Sequence, residues 1–188
     1  MSLLPLCEWL ASTWGSIALH ESLYMYPIVE SVHVWSLALF LGMVALVDLR
    51  LLGVALREVP VSQLSARLLP WTLAGFALMI LTGSLLFYAI PVRTYQSVWF
   101  RAKLLLLVLA GLNAGLFHSG VYRSVARWDL ASAIPRKARL AGALSLLLWA
   151  AIVVCGRFIA YNWFDCDRQP QPALINVLAG CVTTSPSE

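Results

Sequence analysis

Apolar residues dominate four stretches of this chain, and short polar connections separate them. The longest stretch begins at Pro27 and runs PIVESVHVWSLALFLGMVALVDLRLLGVAL to Leu56. Between Ile28 and Val47 only Glu30 and His33 can carry charge, and these 20 residues, rising ~1.5 Å each, span the roughly 30 Å of a bilayer's hydrocarbon core. Glu30, His33, Leu37, Leu41, Val44 and Asp48 follow 3,4,4,3,4 spacing and so share one helix face. That face must look into protein or water, because ionisable groups turned toward lipid cost several kcal/mol each.

The pattern predicts further spans over about 68–90, ended by Pro91, over 98–121, and over 140–163. Arg93 to Ser97 reads as a short turn. Met1 to Tyr26 is only half apolar and carries Pro5 and Glu8, which suits a helix lying in the interface better than a span. Pro27 then permits a bend into the first span. Residues 164–188 read as a polar tail. The expected fold is one domain, an all-α transmembrane four-helix bundle with an N-terminal interfacial helix.

Composition agrees with this reading. Of 188 residues, 61% are hydrophobic and 12% charged, against roughly 25% charged in soluble domains. The net charge of +4 is no nucleic-acid signal, since Lys and Arg cluster between apolar runs instead of along a soluble face. The chain's first 26 residues hold no Lys or Arg, so no signal-peptide n-region is expected. The first connection (Arg50, Arg57, Arg67) holds three cations and the third (Arg123, Arg127, Arg136, Lys137, Arg139) five, which places both in the cytoplasm by the positive-inside rule. Both termini then face outward, into the periplasm for an inner-membrane protein. Cys166 and Cys181 fall in that outward tail, where a disulfide can form, while Cys7 and Cys155 look unpaired.

His33 lies near the outward end of the first span, and His118 lies ~15 residues, about 22 Å, below Lys103 on the third. They cannot bracket one haem iron. The outward layer is richer: Glu30, His33, Arg101, Lys103 and Arg157, joined by His20 and Glu21. One reading makes this a site for b-type haem, with propionates on Arg101 and Arg157, or for a copper or iron ion on His33 and His20, or for a quinone. The other makes it an ion-pair network that fixes helix packing, with Glu30 against Arg157. Gly111 and Gly115 form a small-xxx-small pattern around Asn113, which suits close helix packing and an interhelical hydrogen bond. Asp48 with Arg50 reads as a boundary ion pair, and His118 beside Ser119 as structural. HExxH, CxxC, Gly-rich phosphate loops and nucleophile elbows are all missing, so an enzyme is not expected.

Glu30-Ser-Val-His33, Leu41-Gly42, Val47 to Gly53 and the run from Lys103 to Asn113 resemble an uncharacterised family of bacterial four-helix membrane proteins. That family distantly resembles the membrane domain of copper-resistance D proteins and small b-type cytochromes. The resemblance implies histidines on bundle helices holding metal or haem, in electron transfer or metal handling. The expected partners are the lipid bilayer and either further copies or a membrane complex, with no nucleic acid. The competing expectations are a structural or accessory subunit and, third, a small transporter component.

Overall fold

The computed structural model describes residues 2–129, 134–161, 164–167 and 169–181, and among these all regular structure is helical. The four spans are α3 (Met25–Leu52), α4 (Val61–Ala89), α6 (Val98–Leu116, extended by further turns to Trp128) and α8 (Arg136–Ala160). Each is long and apolar enough to cross a membrane, so this is a multi-pass membrane protein. Around them sit α1 (Leu4–Ala11), α2 (Trp14–Glu21), α5 (Pro91–Tyr95), α7 (Val125–Trp128) and α9 (Ala173–Ala179).

Several boundaries differ from those the pattern predicts. The N-terminal segment is two helices, because Thr13 accepts the Ser16 amide and starts α2 afresh. The bend into the first span lies at Ser22–Tyr24, and Pro27 sits in the first turn of α3, where a missing N–H costs nothing. α4 starts seven residues before Leu68, leaving Pro70 inside it. Its early start is held from a distance: Asp129 accepts the Ser62 amide at 3.0 Å and also the Ser62 hydroxyl, acting as a cap 67 residues away in sequence. α8 starts at Arg136 behind Pro135, so Arg136, Lys137 and Arg139 stand in its first turn. Trp163, the predicted end of that span, lies outside the described residues.

α3 is the spine, antiparallel to α4 on one side and α8 on the other, and α6 packs on α8. Two glycines permit the closest approaches. A Cβ on Gly75 of α4 would stand 3.1 Å from the Phe40 amide nitrogen, and one on Gly142 of α8 would stand 3.1 Å from the Asp48 carbonyl oxygen. Phe40, Met79, Ala110, Leu148, Trp149 and Ile152 fill the centre, with Leu37, Leu41 and Val44 of the predicted stripe packed against them. α4 and α6 meet through side chains, with Phe87 and Phe100 stacked at 5.5 Å.

α1, α2, α5 and the tail gather at one end of the bundle, termed the terminal end. α1 packs on α5, the Leu3 amide donates to the Tyr95 hydroxyl at 3.2 Å, and Ser16 donates to the Tyr88 carbonyl at 2.7 Å. The opposite, basic end carries Arg57, Arg123, Arg127, Arg136, Lys137 and Arg139.

Candidate functional site

The polar residues inside the bundle fall in two layers, and each layer joins neighbouring helices. Near the terminal end, His33 Nδ1 on α3 lies 2.9 Å from the Thr82 hydroxyl on α4. The Thr82 hydroxyl also donates to the Leu78 carbonyl at 2.7 Å, so the His33 contact joins a short polar chain inside α4. Gly83 makes room for the ring, since a Cβ there would lie 3.2 Å from His33 Cε1. Half-buried Lys103 of α6 lies within electrostatic range of His33, beside Gly156 and buried Cys155 on α8.

The other predicted members of this layer go elsewhere. Glu30 and His20 are exposed, with the His20 ring edge-on to Tyr26 at 6.3 Å. Arg157 is exposed too and donates to the Tyr161 hydroxyl at 2.9 Å, with its guanidinium 4.9 Å from that ring, so the expected Glu30–Arg157 pairing is not what Arg157 makes. Arg101 turns to the tail and donates to the Leu178 and Ala179 carbonyls at 2.7 and 2.8 Å. Of the predicted layer, the structure therefore leaves only Lys103 within electrostatic range of His33, with His20, Glu30, Arg101 and Arg157 engaged or exposed elsewhere. Among the described residues no three His, Cys, Asp or Glu side chains gather in a group that could hold a metal ion.

Near the basic end the expected Asp48–Arg50 pair is replaced by two separate contacts. Residues two apart on a helix do not face each other. Both are 5% exposed: Arg50 donates to the Val59 carbonyl at 2.6 Å, while the Asp48 carboxyl faces Ser145 of α8 and its Oδ2 has no hydrogen-bond partner among the described residues. Asn113 donates to the Ala141 carbonyl at 3.0 Å and so joins α6 to α8 as expected. Gly111 and Gly115 do not serve that contact, for nothing lies within 4 Å of a Cβ at either. His118 is exposed at this end and bonds the Ala114 carbonyl at 2.9 Å, a local role.

Outside the spans, the tail forms a cap. Cys166 and Cys181 are bonded, and Gly180, at φ 70°, turns the end of α9 so that its carbonyls meet Arg101. A Cβ on Gly180 would stand 2.9 Å from Arg101 Nη2, so both conformation and space require glycine. Trp99 packs between Phe158 and Phe164 at 4.6 and 6.0 Å, and Arg93 pairs with Asp167 at 3.8 Å. Burial, with Glu8 adding a smaller effect, pushes the Cys7 thiol of α1 above its ordinary pKa.

Sequence reasoning gave no role to Thr82, Ser145 or Asp129. Thr82 was findable as one of few hydroxyls inside an apolar run; Asp129 was not, because its partner Ser62 is distant in sequence.

The chain belongs to DUF6644, a family of unknown function whose profile matches residues 8–162. No curated protein and no solved structure matches it. The membership agrees with an uncharacterised family, and the likeness to copper-resistance D proteins and cytochromes gains nothing from it.

Proposed function

We propose that this protein is a non-catalytic structural or accessory subunit of a bacterial inner-membrane assembly, with the basic end in the cytoplasm and both termini in the periplasm. One observation carries the reading: polar side chains inside the bundle are spent on contacts between neighbouring spans. His33–Thr82 ties α3 to α4 and Asn113–Ala141 ties α6 to α8, while the buried Asp48 carboxyl of α3 faces Ser145 of α8. Polar groups spent this way specify helix pairing in lipid, where apolar surface gives little direction. The outward faces are apolar, with Trp35 78% and Trp71 60% exposed, and suit lipid or a second subunit. The excess of Arg and Lys at one end supports the orientation, and a disulfide at the other supports an oxidising compartment there.

A second reading, a b-type haem or a copper or iron ion on His33, rests on this half-buried imidazole being held at Nδ1 by Thr82. Metal-ligating histidines are commonly oriented by a hydrogen bond at their other ring nitrogen. Within the chain this supplies one axial ligand; His20, Glu30, Arg101 and Arg157 do not complete a shell around it. Oxidised and dithionite-reduced absorption spectra of detergent-purified protein, with elemental analysis for copper, iron and zinc, separate the two readings. The structural reading expects a colourless, metal-free protein that His33→Ala destabilises. A reducible Soret band, lost in His33→Ala while the fold survives, would overturn it in favour of the second.

A further inference from the structure

The third span does not run evenly into the basic end. After Leu116 the α6 ladder widens into a π turn, Phe117–Val121, then tightens into a 3₁₀ turn, Tyr122–Ser124. Such irregular turns often mark functional positions on helices. Beside this irregular stretch, between it and the start of α8, runs an open groove of about 710 Å³. Gly120 forms part of its wall, and nothing lies within 4 Å of where a Cβ would project.

The groove's chemistry is ordered by depth. Arg136 and Lys137, both exposed, stand at its mouth. Their backbone amides open α8, where no intrahelical acceptor reaches them, and Pro135 at the N-cap offers no side-chain acceptor. The helix start thus adds partial positive charge to two full ones. Further along the groove, toward the membrane interior, its lining is apolar and exposed: Leu140, Leu144 and Leu116. From Arg136 to Leu144 is eight residues, about 12 Å along the helix, close to the depth of one leaflet's hydrocarbon. A cationic mouth at headgroup level beside an open apolar groove about one leaflet long is complementary to an anionic amphiphile.

We propose that this groove binds one anionic glycerophospholipid from the leaflet at the basic end, with its phosphate between Arg136 and Lys137 and an acyl chain along Leu140 and Leu144. Basic pockets between spans recognise lipid headgroups in this way. The occupant follows from charge complementarity together with the groove's place at the membrane boundary. The inference needs only the membrane reading of the spans and is independent of whether His33 holds a cofactor.

Native mass spectrometry of the full chain in mild detergent tests it, with phosphatidylglycerol or phosphatidylcholine added as the probe. The expected result is one retained phosphatidylglycerol per chain, favoured over phosphatidylcholine roughly thirtyfold by two cations near the headgroup. The double variant Arg136→Ala/Lys137→Ala should lose that preference. The control Arg123→Ala/Arg127→Ala, which removes two cations at the same end but outside the groove, should keep it. Gly120→Phe should reduce retention of the lipid with helicity by circular dichroism unchanged. Equal retention of both lipids would overturn the proposal, as would a preference that survives the Arg136/Lys137 variant. Loss in the control equal to that in the variant would assign the preference to a diffuse field instead. A dimer that excludes lipid and is broken by Gly120→Phe would assign the groove to a second copy of the chain.

Discussion

The two ends of this bundle solve the same problem differently. At the terminal end the chain closes on itself: α1 lies on α5, the disulfide folds back the tail, and Arg101 takes up the final carbonyls of α9. At the basic end α6 unwinds through π and 3₁₀ turns, and Arg136 and Lys137 project from a groove. The difference teaches where the structure depends on its surroundings. The terminal end carries its own acceptors for its strongest donors, whereas the basic end leaves cations for the headgroup layer to satisfy.

Reduction, or Cys166→Ser, is the largest way to break this contrast. Opening a loop of sequence separation 15 frees chain entropy worth about 3 kcal/mol. Hydrogen exchange should rise across α9 while the amides of α3 and α8 stay protected; uniform exchange throughout the bundle would contradict the division into two ends. Arg101→Ala comes next. It strips two charged donors from the end of α9, at roughly 1.5–3 kcal/mol each where the contact is buried and less for the exposed bond to Leu178. Limited proteolysis should cut the tail first, and an unchanged cleavage pattern would show that the clamp is dispensable.

Between the ends, Gly142→Leu forces side-chain atoms against the backbone of Asp48 and should cost about 1–3 kcal/mol by overpacking. Thermal unfolding in detergent should fall without change in the tail's protease resistance. His33→Ala is milder, since hydrogen bonds between membrane helices average about 0.6 kcal/mol. A loss of several kcal/mol would mean that His33 holds more than Thr82. The smallest effect concerns Cys7. With its pKa raised, its thiolate fraction at neutral pH is lower than that of an ordinary thiol, so maleimide labelling of the folded protein should be slower than in denaturant and should quicken as pH rises. Equal rates folded and unfolded would place Cys7 at the surface.

The sequence by itself determined the four spans, the stripe of Leu37, Leu41 and Val44 that faces the core, and the candidacy of Cys166 and Cys181 as a pair. These are local matters: span length follows from bilayer thickness, and helical period follows from backbone geometry. Only the tertiary structure decided which polar groups meet. Spacing put Glu30 and His33 on one face, yet Glu30 stays exposed while His33 reaches Thr82. Arg101 and Arg157 share an end but not a partner, because the tail folds back to claim the first and Tyr161 the second. Asp129 reaches Ser62 across 67 residues, a contact no local pattern encodes. Depth in a membrane can be read from residue number along a helix; the azimuth of each helix toward its neighbours is fixed by packing, as at Gly75 and Gly142, where the absence of a side chain lets two backbones meet.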